Sequence, residues 1–168
     1  MLRLVQALPE DETFLVQVYA GTRAEEMRNW GWSEQEKEEF LSMQYRFQVQ
    51  AYRMKYPESD SYVILMNKQR AGRLIVARTD DAIILVDISL LPAFRNQGIG
   101  TYFLKALQQE SEACLRPVEL RVLASNPARL LYERLGFRIT QQSDLLFNME
   151  WHPKNVKTQN LRRDIFEK

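Results

Sequence analysis

The chain has 168 residues, enough for one domain with a full-sized core. Hydrophobic residues make up 45% and charged residues 27%, and a net charge of +1 gives no global attraction to nucleic acid or to a membrane surface. A single cysteine, Cys114, rules out an internal disulfide, and with a single histidine, His152, it argues against a zinc site within one chain.

The opening stretch MLRLVQALPEDE meets acidic residues before any long apolar run, unlike a secretory leader. No segment approaches the ~20 apolar residues of a membrane span. A cytoplasmic protein is the expectation.

Residues 2–6 read as a first strand. Pro9 with Glu10, Asp11 and Glu12 opens a helix, because proline suits its first turn and acids suit its positive end. Phe14, Leu15, Val18 and Tyr19 follow at helical spacing, and Gly21 is expected to stop it. A short helix through Met27 and a turn at Trp30-Gly31-Trp32 follow. Ser33 and Glu36 form a capping box. The long helix behind it carries Phe40, Met43, Phe47, Ala51 and Met54 on one face, read as its core face, and ends before Pro57. Gln44, Arg46 and Gln48 flank that face.

Three strands come next, over 62–66, 74–77 and 83–91, joined by short polar turns that imply antiparallel hairpins. A second long helix is expected from about Ile99 to Cys114, with Phe103, Ala106, Leu107 and Cys114 inward, the thiol therefore buried and inert. Pro117 breaks it. Residues 118–122 alternate as a strand. Asn126-Pro127 opens a helix that ends at Gly136. Two strands, 137–140 and 145–151, close the domain at residue 151. Residues 152–168 form a polar tail with five basic positions, and His152 is expected to be exposed. The order β-α-α-β-β-β-α-β-α-β-β is that of an α/β protein built on a mixed sheet.

The segment between the strand 83–91 and the helix at Ile99 carries the strongest signal. It reads Phe94-Arg95-Asn96-Gln97-Gly98-Ile99-Gly100. A strand, a glycine loop and a helix start aim free backbone N–H groups at one point, and the helix dipole adds positive potential there. Such a site suits phosphate. It is not a P-loop, since Thr101-Tyr102 follow Gly100 in place of Lys-Ser/Thr. It is not the dinucleotide fingerprint either, since Phe103 stands at the third glycine position.

The pattern Arg95-Asn96-Gln97-Gly98-Ile99-Gly100 resembles the Arg/Gln-x-x-Gly-x-Gly/Ala loop of the GNAT superfamily of acyl-CoA-dependent N-acetyltransferases. A second block, from Asn126 through Tyr132 to Gly136-Phe137, resembles that family's asparagine–tyrosine segment. The step from asparagine to tyrosine is six here, where seven is common, with Ser125 at the seventh position. The element order agrees over residues 1–151. The resemblance implies a GNAT fold, with a mixed, mostly antiparallel sheet of about seven strands and helices on both faces. It implies acetyl-CoA as cosubstrate and an amine as acceptor, with no metal, nucleic acid or membrane partner. Arg95, Asn96, Gln97, Gly98, Ile99, Gly100 and Thr101 would bind pyrophosphate, mainly through backbone N–H. Leu90 and Leu91 would hold the pantetheine arm, and Asn126 would bond it. Tyr132, a phenol, would protonate the leaving thiolate. Homodimers occur in the family, and no residue pattern here fixes one.

Asp87 is the one acid in the apolar strand 83–91. Two readings stand: a general base for the acceptor ammonium, or a structural acid paired with a basic residue on a packed helix. The rival to an enzyme is a non-catalytic acyl-CoA sensor or docking module on the same fold.

Overall fold

The computed structural model describes residues 1–154. The expected tail 152–168 is described only to Lys154, and its other four basic positions lie outside the described residues. The elements are β1 (Leu2–Gln6), α1 (Glu12–Met27), α2 (Glu34–Lys55), β2 (Asp60–Met66), β3 (Gln69–Arg78), β4 (Ile83–Leu90), α3 (Ile99–Cys114), β5 (Val118–Leu123), α4 (Ala128–Arg134), β6 (Arg138–Gln142) and β7 (Leu146–Trp151). The seven strands form one mixed sheet in the order β1-β2-β3-β4-β5-β7-β6. The expected element order and mixed sheet hold.

The chain divides into two compact units, with β4 passing from one into the other. The first comprises Met1–Ala77 and Val86–Ile99. In it β1 pairs antiparallel with β2, and β2 with β3, around left-handed turn residues Asn67 and Lys68. Helices α1 and α2 supply Phe14, Leu15, Val18, Tyr19, Leu41 and Tyr45 to a core with Val63 of β2. The second unit comprises Arg78–Leu85 and the chain from Gly100. There β4 pairs in parallel with β5 over Ile83–Leu85, and β5 pairs antiparallel with β7 along its whole length, from Val118↔Trp151 to Leu123↔Leu146. Phe103, Leu104 and Leu107 of α3 and Val118, Leu120 and Val122 of β5 are buried. No described helix is long and apolar enough to cross a membrane.

Four expectations need correction. Helix α1 does not stop at Gly21 but runs to Met27. The glycine has a packing reason instead: a Cβ there would sit 3.3 Å from Pro92 Cδ. On α2 the buried residues are Leu41 and Tyr45, whereas Met43, Phe47 and Met54 are exposed and Phe40 is only partly buried. The buried face of α2 sets Leu41 beside a tyrosine, so the more apolar stripe is not the core-facing one. On α3, Leu104 takes the inward place expected of Ala106, which is exposed. Cys114 is exposed too. Ser111 holds the last buried position of α3, its hydroxyl bonded to the Arg116 carbonyl, and the helix ends with the thiol outside.

Candidate functional site

The loop after β4 is held by its own side chains. Pro92–Phe94 form a single 3-10 turn, and Arg95 leaves it in extended conformation. Arg95 Nε donates to the Leu90 carbonyl at 3.2 Å and its Nη2 to the Gly21 carbonyl of α1 at 3.1 Å. The arginine thus braces the loop against the strand end and a helix. Gln97 Nε2 donates to the Ala93 carbonyl at 2.8 Å, closing the loop on itself. Asn96 and Gly98 both take left-handed φ, +60° and +81°. Asparagine and glycine tolerate that conformation best. A Cβ on Gly98 would meet nothing within 4 Å, so the space above this glycine is open. Helix α3 begins at the next residue, with no acid in its first turn to compete for the free N–H groups.

The second glycine of the motif does a different job. A Cβ on Gly100 would lie 3.3 Å from Leu131 Cδ2, so this position serves the approach of α3 to α4. Thr101 is half-buried in the first turn of α3.

The strand end is re-aimed. Ile83 donates its N–H to the Pro117 carbonyl beside β5, whereas Leu91 donates to the Ala71 carbonyl of β3, at 2.8 Å. In a regular strand residues an even number apart point their N–H groups to the same neighbour. The direction therefore turns over once between Ile83 and Leu91, as a bulge would cause. Gly72 permits the close approach of β3, since a Cβ there would overlap the carbonyl oxygen of Ser89. The Leu91 N–H is committed to Ala71.

Asp87 sits in a polar cluster within the first unit. Arg73 of β3 donates from Nε to Asp87 Oδ2 at 2.9 Å and from Nη2 to Gln48 Oε1 of α2 at 2.8 Å. Ser89, two residues along β4 and on the same face, donates to Asp87 at 3.0 Å. The Arg73 guanidinium also stands 5.8 Å from the ring centre of Tyr45. Arg73 is 2% exposed, and its Nη1 has no hydrogen-bond partner. Burial, and then the charge of Asp87, push the Tyr52 phenol up to about 12. The structure thus supplies an ionic partner for Asp87, from a strand rather than from the expected helix. Gln48, beside the apolar stripe of α2, is engaged with Arg73, and Arg46 pairs with Glu12 at 3.1 Å. Arg73 itself escaped sequence reading. It lies just before the strand expected over 74–77 and is one of three arginines in β3, so no local pattern singles it out.

In the second unit, Asn126 Oδ1 accepts from the Ala128 N–H at 2.9 Å, a side-chain turn that launches α4. Tyr132 is buried, its ring 6.0 Å from that of Phe137 at an angle of 58°. Its carbonyl accepts from the N–H groups of Leu135 and Phe137 around the left-handed Gly136. His152 is exposed and contacts Glu150 at 3.0 Å.

A left-handed glycine with open space above it stands between a re-aimed strand and a 16-residue helix, a geometry suited to an anion. Residues 57–139 match the model of the acetyltransferase (GNAT) domain.

The chain belongs to the GNAT superfamily.

Over 75 residues the chain is 35% identical to the [ribosomal protein bS18]-alanine N-acetyltransferase of Haemophilus influenzae. That match covers 44% of this chain and 51% of the relative, so the chain spans about half the length of the curated relative it matches. Among solved structures, the PaiA N-acetyltransferase of Thermoplasma acidophilum in complex with coenzyme A superposes with a TM-score of 0.65 at 16% identity, over 90% of this chain and 99% of that one. The ribosomal-protein-S18-alanine N-acetyltransferase of Escherichia coli gives 0.58 at 20% identity, over 90% and 94%. At these identities the structural likeness establishes the fold.

Proposed function

We propose that this GNAT chain transfers the acetyl group of acetyl-CoA to a primary amine by direct attack. The observation that carries the reading is the open left-handed Gly98 at the head of α3, bounded by the self-braced loop Arg95–Gln97. The pyrophosphate takes the N–H groups of Gln97 through Thr101, with Asn96 setting the turn. Arg95 acts by holding the loop rather than by reaching the ligand. Leu90 and Leu91 line the pantetheine arm, and Asn126 bonds it. The Leu90 N–H stabilises the negative charge that develops on the acetyl oxygen.

In the reaction the amine nitrogen forms a bond to the carbonyl carbon, the carbon–sulfur bond breaks, and the nitrogen gives up its surplus proton to solvent. Tyr132 donates its phenolic proton to the departing thiolate and is reprotonated from solvent. The incoming ammonium must first lose a proton. Asp87 already accepts from Arg73 and Ser89, which favours the ion-pair reading over the general base. Water then takes that proton, and Asp87 fixes the shape of β4 beside the reacting carbonyl.

The bS18-alanine activity of the Haemophilus influenzae relative makes a peptide α-amino group the first acceptor to test. A thiol-release assay across peptide N-termini, lysine, polyamines and small amines tests the reading. The expected result is coenzyme A release that depends on one amine class. Acetyl-CoA binding without release for any amine would leave the non-catalytic sensor in its place.

A further inference from the structure

We propose that the outer face of α2 is a self-association surface, on which two copies of this chain pair antiparallel about a two-fold axis at Phe47. The inference is independent of the catalytic reading.

The observation behind it is the stripe that failed to be core. Met43, Phe47 and Met54 are 45%, 58% and 78% exposed on a 22-residue helix, and Ala51 between them is exposed too. Their spacing of four, four and three residues keeps them on one face. The stripe is continuous at its N-terminal end with an aromatic cluster, Trp30, Trp32 and Phe40, whose rings meet edge-on at 5.1 to 5.7 Å. Both tryptophans are more than a third exposed. A groove of about 490 Å³ lies along the face, lined by Glu38, Glu39, Ser42, Met43, Arg46 and Phe47. Exposed apolar surface of this extent marks an interaction site.

The charges on α2 say what fits it. The first half carries Glu34, Glu36, Glu38 and Glu39 against one base, Lys37, which pairs with Glu34, and the second half carries Arg46, Arg53 and Lys55. A parallel copy would set like charges side by side. An antiparallel copy sets each half against its complement. With the axis at Phe47, Phe40 falls opposite Met54, Met43 opposite Ala51, and Glu39 opposite Lys55. Every apolar residue of the stripe then meets another, and the arrangement is self-complementary, as a two-fold interface requires. Arg46 is the charge nearest the axis. Its pairing with Glu12 of α1 relieves the repulsion from its own copy.

Sedimentation equilibrium on the full chain tests the proposal. The expected mass is twice 19.9 kDa at micromolar concentration, with weakening as salt rises. Phe47→Glu should weaken the dimer by at least roughly 30-fold, as loss of a central anchor does, while circular dichroism and melting stay native because Phe47 lies outside the core. Glu39→Lys and Lys55→Glu should each weaken association severalfold, and the two together in one chain should restore it. A wild type that stays at 19.9 kDa overturns the proposal, as does a dimer indifferent to Phe47→Glu. Failure of the double charge swap to restore pairing overturns the antiparallel register. A monomer whose Phe47→Glu variant loses only binding to an acceptor peptide gives the face to the acceptor and equally overturns self-association.

Discussion

Tyr132, Gly98 and Asp87 each carry a separable prediction. Tyr132→Phe keeps the ring against Phe137 and removes only the hydroxyl. General acids contribute roughly 10²–10⁴-fold, and a thiolate leaves fairly well unaided, so the expected loss is near 10²-fold in kcat with little change in KM for acetyl-CoA. Steady-state kinetics with a verified acceptor checks it, and unchanged turnover would reduce Tyr132 to packing. At Gly98 the left-handed φ makes valine a poor probe, since backbone strain of about 1–3 kcal/mol would mix with any binding effect. Gly98→Asn is cleaner, because asparagine accepts that φ yet fills the open space. Calorimetry should show acetyl-CoA affinity falling by about tenfold or more with the melting temperature nearly kept. Asp87→Asn should leave the buried Arg73 without its carboxylate partner and cost about 3–5 kcal/mol of stability. Denaturant unfolding measures that loss. Native stability with a rate lost mainly at low pH would return Asp87 to the role of base. The glycine loop was legible as a turn because a left-handed backbone dictates residue type, whereas the role given to Tyr132 came from the family resemblance alone. Arg73 was not, because its function depends on three elements meeting, and no local pattern encodes that.

At the scale of elements, hydrophobic periodicity located nearly every helix and strand and misjudged which face of α2 is inside. The face that faces the core carries Leu41, Tyr45, Gln48 and Tyr52, and three of the four bring polar groups to Arg73 or Asp87. Periodicity weighs apolarity alone and so picked Met43, Phe47 and Met54. The same limit hid Gly21 inside α1, where what matters is the proline packed against it. Pairing on β5 and β7 gives a further test. Glu119 stands directly across from Glu150. Burial first, and then Glu150, push its carboxyl above the ordinary range, with His152 opposing. The folded state therefore holds this proton more tightly than the unfolded chain does. Stability tied to Glu119 is fully present below the ordinary carboxylate pKa and is lost as pH rises through the raised folded value. Glu119→Gln should thus stabilise the protein at neutral pH by a few tenths of a kcal/mol, in the range of cross-strand like-charge pairs. The gain should vanish below about pH 4. Melting curves of both forms across that range would show it, and an equal or lower melting temperature for the variant at neutral pH would contradict it.

For the molecule as a whole, the antiparallel pairing of β2 with β3 was readable from its short turn, whereas the seven-strand mixed sheet was legible only through the family resemblance. The turnover of β4 was not readable, since it depends on hydrogen-bond partners at both ends of one strand. Global stability offers a last test, at alkaline pH. Tyr52 is held up to about 12 by burial and by Asp87, and burial raises Tyr45 as well. An unfolded tyrosine ionises near pH 10. Between about pH 10 and 12 the unfolded chain has released the Tyr52 proton while the folded chain keeps it, so stability falls as pH rises through that window and is intact below it. Keeping the proton across the whole window is worth about 2.7 kcal/mol at most, and partial exposure of the ring brings the expected loss to roughly 2 kcal/mol. That is a sizeable part of the roughly 5–15 kcal/mol that typically holds a domain together. Lysines and other tyrosines also titrate there, so the decisive quantity is a difference. Urea unfolding of wild type and Tyr52→Phe should give parallel stability curves up to about pH 10, after which the wild type falls more steeply by up to roughly 2 kcal/mol. Curves that remain parallel to about pH 12 would mean that Tyr52 ionises as an exposed phenol and that the polar cluster beside Asp87 is open to water.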